Sequence, residues 1–337
     1  MAHAIRSAAV SMRETGQFSC RTETPRWRTD NLCRRTGASI RWTDVEVRGQ
    51  VAARRGPTYL RVMLGKELRE LRENLELTAE SVSLELGFSR SKLSRVESGD
   101  IPLPKLKDLE KLLDRYGVTD PDHRDTLLQM QRDSLSREPF TSYSPILPSG
   151  LPMYLGLERE AVRIRGFQNH VVHGLLQAEP YALALAGSAK IVEERTTDFV
   201  EQGVRLRMDR KALLTHPDGP EVHIILTANT LRTMIGSPEV MRAQYDEILR
   251  LCQLDKVEVQ IIPEDLATYR SSYNFTVLDF NGLDSVTQGD SAKATTMWSK
   301  PSDVAQFQRQ FDAMAKAAPG PSQTSQILTE LAEKLWT

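Results

Sequence analysis

The sequence predicts a mainly α N-terminal bundle built around a helix-turn-helix, followed by an α+β domain with a short mixed or antiparallel sheet. Three observations predict it. Apolar residues recur at helical spacing through residues 59–134, where two short helices meet at Gly87. A stretch rich in proline and serine, residues 136–151, then breaks the helical pattern and reads as a linker. Beyond it, β-rich runs are interspersed with helical ones. The expected organisation is a disordered or mis-assigned extension at 1–56, a helix-turn-helix bundle at 57–135, a linker at 136–151 and an α+β domain at 152–337.

In the bundle, a first helix over Tyr59–Asn74 carries Leu64, Leu68 and Leu71 on one face. Thr78 is placed to cap a second, short helix that presents Val82 and Leu86 inward. That helix ends at Gly87, the residue type best suited to a left-handed turn. Ser89 caps a third helix, with Leu93 and Val96 buried and Arg90, Ser91, Lys92, Ser94 and Arg95 pointing outward. Two short helices joined through a glycine turn place the second in a major groove, where arginine and lysine donate to guanine O6 and N7 or to phosphate. The competing reading of such a face is an ordinary solvated surface. A proline-limited loop, Ile101–Pro104, leads to a helix over Pro104–Arg115 that Gly117 stops. A fifth helix, Pro121–Ser134, closes the bundle.

The string Leu77-Thr78, Gly87, Ser89 and Ser91-Lys92-Leu93-Ser94-Arg95-Val96-Glu97-Ser98-Gly99 resembles the XRE family of phage-repressor-like regulators. The resemblance covers about sixty residues and implies a lambda-repressor-like fold that binds double-stranded operator DNA; because a single helix-turn-helix covers one half-site, a homodimer is expected. It implies that Arg90, Ser91 and Arg95 read bases, and that Thr78, Ser89 and Lys105 lie near the phosphate backbone. It further implies that Glu97 pairs with Arg72 of the first helix as an architectural ion pair. Two positions depart from the family pattern: Ala79 stands where glutamine is frequent, and Ser83, where alanine is frequent, brings a hydroxyl near the core.

Charge is unevenly distributed. Residues 1–56 hold 11 basic and 5 acidic side chains, residues 57–134 hold 13 and 15, and the remainder hold 20 and 25. The DNA-facing part is therefore basic only locally, at Arg90, Lys92 and Arg95, with acids gathered on the first helix and between Asp108 and Asp125. No apolar run approaches the eighteen residues of a membrane span, and Met1–Met12 lacks the continuous apolar core of a signal peptide. Cys20, Cys33 and Cys252 are too few and scattered for a disulfide framework or a four-ligand zinc site, which points to a reducing cytoplasm.

Residues 1–56 are rich in arginine, serine and threonine, lack lysine, and show neither helical nor strand periodicity, so they are expected to be disordered. Two readings stand for them: a basic arm that holds DNA through phosphates, or an extension upstream of a translation start near Met63 or at a non-ATG codon. A transit peptide fits less well because of the acids.

In the second domain, Leu157, Ala161 and Ile164 line one side of an expected helix, with further helices over Leu175–Leu185, Phe199–Leu214, Pro238–Cys252, Asp303–Lys316 and Ser322–Leu335. Strands are expected at Glu221–Leu226, Val257–Ile262 and Asn274–Phe280. Gly174-Leu-Leu-Gln177 with Tyr181-Ala182, Arg207-Met-Asp-Arg210, Gly236 with Met241 and Gln244, and Val259-Gln-Ile-Ile-Pro263 look like the antitoxin-like C-terminal domain of many actinobacterial XRE regulators. That resemblance implies a bacterial protein and a small partner protein encoded nearby. His173, Ala178, Lys211 and Ala228 depart from its pattern.

No phosphate-binding glycine loop, Gly-x-Ser-x-Gly elbow or His-Glu-x-x-His is present, so the chain is expected not to be an enzyme and to need no cofactor or metal. His170 and His173, three apart, are read as surface or capping residues rather than metal ligands. Glu158 and Glu160 are read as helix surface, and Arg205, Arg207 and Arg210 as ordinary salt-bridging residues. The expected function is sequence-specific transcription regulation, with the second domain binding a small protein; the alternatives are a small-molecule pocket in that domain, or an enzyme tethered to DNA.

Overall fold

The computed structural model describes residues 55–290 and 294–335. The expectation of disorder over residues 1–56 therefore falls almost entirely outside the described residues, as do Cys20 and Cys33.

Five helices build the first bundle: α1 (Pro57–Asn74), α2 (Ala79–Leu86), α3 (Arg90–Glu97), α4 (Leu106–Arg115) and α5 (Pro121–Ser134). Each start and stop has a local cause. The Thr78 side chain accepts from the Ser81 amide and that of Ser89 from the Lys92 amide, while Gly87 holds the left-handed conformation at φ +72° that ends α2. Pro57 and Pro121 occupy first-turn positions, where no helical hydrogen bond is lost. Leu64, Leu68, Val82, Leu93, Val96, Leu109, Leu112, Leu113 and Leu127 form the core of the bundle.

Gly65 decides how closely α1 and α3 approach. A Cβ there would lie 2.5 Å from the Val96 carbonyl oxygen and 2.8 Å from that of Glu97, both backbone atoms that cannot swing away.

After α5 the chain enters a 3₁₀ run, Pro139–Ile146, in which Phe140 is buried. The stretch read as a linker is thus packed, at this residue, into the core that follows. The second part comprises α6 (Leu151–Glu158), β1 (Arg163–Gln168), α7 (Glu179–Ser188), α8 (Thr197–Arg210), α9 (Ala212–Thr215), β2 (Glu221–Thr227), α10 (Ala228–Arg232), α11 (Pro238–Leu251), β3 (Val257–Ile262), β4 (Phe275–Asp279), β5 (Val286–Asp290), β6 (Thr295–Trp298), α12 (Pro301–Ala317) and α13 (Thr324–Leu335). Its six-stranded sheet has the order β3-β2-β1-β4-β5-β6. The β3-β2-β1 half is parallel and the rest antiparallel, so the architecture is α+β with a mixed sheet.

Both faces are covered. Ile164, Val222, Ile224, Leu226, Val257, Val259 and Ile261 point to one side, into a core shared with Leu155 of α6, Tyr181 of α7, Leu206 of α8, Ile248 of α11 and Leu328 of α13. The alternate residues Phe167, Ile225, Ile262, Phe275 and Val277 meet Phe307, Phe311 and Met314 of α12.

Three expected elements are corrected. The helix assigned to Leu157, Ala161 and Ile164 ends at Glu158, and Ile164 lies in β1, because the pairing of Arg165 with Asp279 satisfies a charge that broke the strand's alternation. The helix expected over Leu175–Leu185 divides at Ala178, before Pro180. There the Gln244 side chain accepts from the Ala178 amide and donates to the Leu176 carbonyl, both at 2.8 Å, and supplies the broken backbone's partners. The helix expected over Phe199–Leu214 divides at Lys211 into α8 and α9.

Gly65→Ala is expected to push α1 off α3 and to lower stability by about 1 to 3 kcal/mol; thermal unfolding of the full chain measures it, and an unchanged midpoint would show that the helices part without cost.

Candidate nucleic-acid interface

The outward face of α3 is an outcome of how the helix is held. Leu93 and Val96 face the bundle core at 1% and 3% exposure, which turns the opposite side of this two-turn helix outward. Arg90, Ser91, Ser94 and Arg95 are exposed on that side. Thr78 and Ser89, also exposed, sit at the N-termini of α2 and α3 as capping residues, and Lys105 is exposed at the start of α4. Thr78 and Ser89 thus stand at helix starts, where free amides collect, and Arg90, Arg95 and Lys105 are exposed cations.

Lys92 is placed differently from its neighbours. Its Nζ lies 2.9 Å from Asp108 Oδ2 of α4 and 4.5 Å from the centre of the Phe88 ring, so it ties α3 to α4 across the turn instead of standing free in solvent.

Beneath the surface, Arg72 of α1 meets Glu97 at the end of α3 through two hydrogen bonds, Nε to Oε1 at 2.7 Å and Nη2 to Oε2 at 2.8 Å, and a third reaches the Leu77 carbonyl at 2.8 Å. The Glu97 hydrogen bonds and charge push the Arg72 guanidinium further up against the effect of burial. One planar fork therefore fixes the end of α3, the chain entering α2 and the last turn of α1 together. Arg61, absent from the sequence-derived set, donates from Nε to the Gly99 carbonyl at 2.6 Å and fixes the turn that follows α3. Ser83 is 2% exposed, and its hydroxyl has no hydrogen-bond partner among the described residues.

Residues 63–127, which contain this surface, match a helix-turn-helix domain model. Residues 151–330, more than half of the chain, match the model described as "Domain of unknown function (DUF5753)". The chain belongs to the DUF5753 family. No curated protein and no solved structure matches it. The helix-turn-helix match supports DNA binding and transcription regulation for this DUF5753 protein.

The DUF5753 portion corrects the assignments of Glu158 and Arg207 and bears out the capping role expected of His173. Glu158, expected on a helix surface, is fully buried and receives Arg210 through Nε at 2.8 Å and Nη2 at 2.7 Å, with the Tyr154 hydroxyl at 2.6 Å. Burial alone would raise its carboxyl pKa, but the Arg210 charge and these hydrogen bonds hold it below the usual carboxylate range. His173 is buried, whereas His170 is exposed, so the two do not share a site. The Nδ1 of His173 accepts from the Leu175 amide at 3.3 Å and Nε2 lies 3.4 Å from Thr276 Oγ1. Burial pushes this imidazole down to about 4, and it stays neutral at pH 7. Among Arg205, Arg207 and Arg210, Arg210 holds the buried carboxylate, Arg205 is exposed, and Arg207 makes no ion pair with a described residue. No helix among the described residues is long and apolar enough to cross a membrane.

Arg90→Ala is expected to cost about 1 to 3 kcal/mol on a specific site and little on random DNA, whereas Lys105→Ala weakens both and lowers the salt slope by about one. Titrations on both DNAs at several salt concentrations separate them, and equal losses for Arg90→Ala would rule out base reading. Lys92→Ala is expected to lower the thermal midpoint more than it alters sequence preference. Ser83→Ala removes an unpartnered buried hydroxyl and is expected to stabilise the chain by about 1 kcal/mol in denaturant unfolding.

Proposed function

We propose that this chain is a sequence-specific, DNA-binding transcription regulator of XRE type that acts in the bacterial cytoplasm as a homodimer, without catalysis, and whose C-terminal domain governs what the helix-turn-helix does on DNA. The observation that carries the reading is the outward face of α3, where Arg90, Ser91, Ser94 and Arg95 stand exposed on a helix whose inner face is locked by Leu93, Val96 and the Arg72–Glu97 pair. Arg90 and Arg95 are the proposed base readers; Thr78, Ser89 and Lys105 supply position and affinity. One α3 covers one half-site, so two copies of the chain serve a pair of half-sites about 34 Å apart.

For the C-terminal domain, the reading is an antitoxin-like role in which it binds a small partner protein. Its support is an exposed apolar segment between α7 and α8, where Ile191 is 89% and Val192 84% exposed. A second reading, a small-molecule effector site in the same domain, is favoured by a cavity against α8.

Immunoprecipitation of the full chain with its DNA from source cells is expected to recover a two-fold symmetric operator, and Arg95→Ala to lose it. Recovery of unrelated DNA with no shared sequence would overturn sequence-specific regulation.

A further inference from the structure

The geometry points to a second ligand site: the cavity against α8 binds a small organic anion, a carboxylate or phosphate with an apolar body and a hydrogen-bond donor, held by Arg207. The cavity encloses about 360 Å³, a volume within the range of small-molecule pockets. Its walls come from the first face of the sheet, from α8, from the Val171–Gln177 segment and from Ile146–Pro148.

Its charge is unbalanced. Three guanidinium groups line it, those of Arg195, Arg207 and Arg210. Arg210 is spent on Glu158 and Arg195 is paired with Glu193. Arg207 donates from Nη1 to the Gly203 carbonyl of its own helix at 3.1 Å and has no carboxylate within ion-pair distance among the described residues. Asp290 also lines the cavity, but one of its oxygens takes the Gln288 amide at 2.6 Å and the Thr295 hydroxyl at 3.0 Å. Burial, followed by the charges of Arg210 and Arg195, lowers the Arg207 guanidinium pKa to about 10, a sign of a cation enclosed beside other cations. A cation held in this way costs stability unless a bound anion compensates it, and a guanidinium fork matches a carboxylate or a phosphate in two parallel hydrogen bonds.

A second, independent feature marks the same cavity. Gln177 is 3% exposed, and its amide nitrogen donates to the Val172 carbonyl at 2.8 Å, yet its side-chain oxygen has no partner among the described residues. That buried acceptor calls for a donor, a hydroxyl or N–H, on the ligand. Leu147, Leu185 and Phe199 supply the apolar wall for its body.

Because Ile146–Pro148 belongs to the segment that joins the DNA-facing bundle to the second domain, an occupant of the cavity touches the connection between them. That regulatory consequence rests on the DNA-binding reading; anion binding itself does not.

The test uses the full chain, with thermal unfolding and calorimetric titration against 6-hydroxyhexanoate and 4-hydroxyphenyl phosphate. Their uncharged counterparts, 1,6-hexanediol and hydroquinone, and inorganic phosphate serve as comparisons. At least one organic anion is expected to raise the unfolding midpoint by about 2 to 4 °C in a saturable way, with its uncharged counterpart inert. Arg207→Gln is expected to weaken that binding roughly tenfold or more, while Arg205→Gln, an exposed position on the same helix, leaves it unchanged. Without ligand, Arg207→Gln is expected to unfold at a higher temperature than the parent chain. Should Arg207→Gln not fold, Arg207→Lys keeps the charge without the fork and is expected to bind more weakly than the parent.

Equal shifts in the parent, Arg205→Gln and Arg207→Gln would overturn the proposal, as would no shift by either organic anion. A response to inorganic phosphate alone would overturn the organic class. Failure on these readouts leaves DNA binding standing, and loss of operator binding leaves the anion result intact.

Discussion

The insertion of α1 into two cores is the constraint on which the rest depends. Its first turns belong to the second domain: Tyr59 is 1% exposed in that domain's core, its hydroxyl donates to the Asn281 carbonyl, and its ring lies 6.0 Å from that of Phe280. Its later turns carry Leu64 and Leu68 into the core of the helix-turn-helix bundle. Two glycines permit these contacts. Gly65 lets α3 come close on one side, and Gly156 of α6 makes room for Thr58, whose Cβ would sit 2.4 Å from an added methyl group. Because a helix transmits displacement along its length, the surface of α3 and the second domain are mechanically joined through one element.

Two buried guanidinium–carboxylate forks organise the polar interior, one in each core. Arg72–Glu97 ties α1, α3 and the start of α2; Arg210–Glu158 ties α8 to α6 with Tyr154 as a third partner. Removal of one member from either fork strands a buried charge, a loss of about 3 to 5 kcal/mol. Arg207 lies less than one helical turn before Arg210 and lines the same cavity, yet has no carboxylate within ion-pair distance among the described residues. The contrast between neighbours on one helix is what separates an architectural arginine from one proposed to await a ligand.

The bundle was largely legible in the sequence because its signals are local. Caps at Thr78 and Ser89, the left-handed Gly87 and the leucine spacing of α4 each act within one or two turns. The sheet was legible only where strands alternate between two covered faces, as in β2, β3 and β4. β1, β5 and β6 escaped notice. Arg163-Ile-Arg-Gly-Phe-Gln168 places a guanidinium on a covered face, where Asp279 of the neighbouring strand neutralises it, and Val286-Thr-Gln-Gly-Asp290 buries Thr287 and Gln288, with Asp290 accepting from Gln288 and from Thr295 of β6. Both patterns are unreadable until the partner strand is known.

The sequence by itself determined the helix boundaries of the bundle, the outward face of α3, and the presence of an α+β domain after residue 151, since each follows from spacing and capping along a short stretch of chain. Tertiary structure alone decided that Lys92 faces Asp108, that Glu158 is buried, and that Arg195, Arg207, His173 and Gln177 share a cavity with Asp290. Those outcomes join residues up to about a hundred positions apart, and the free energy that selects them comes from burial and charge pairing, which exist only once the helices and the sheet have packed.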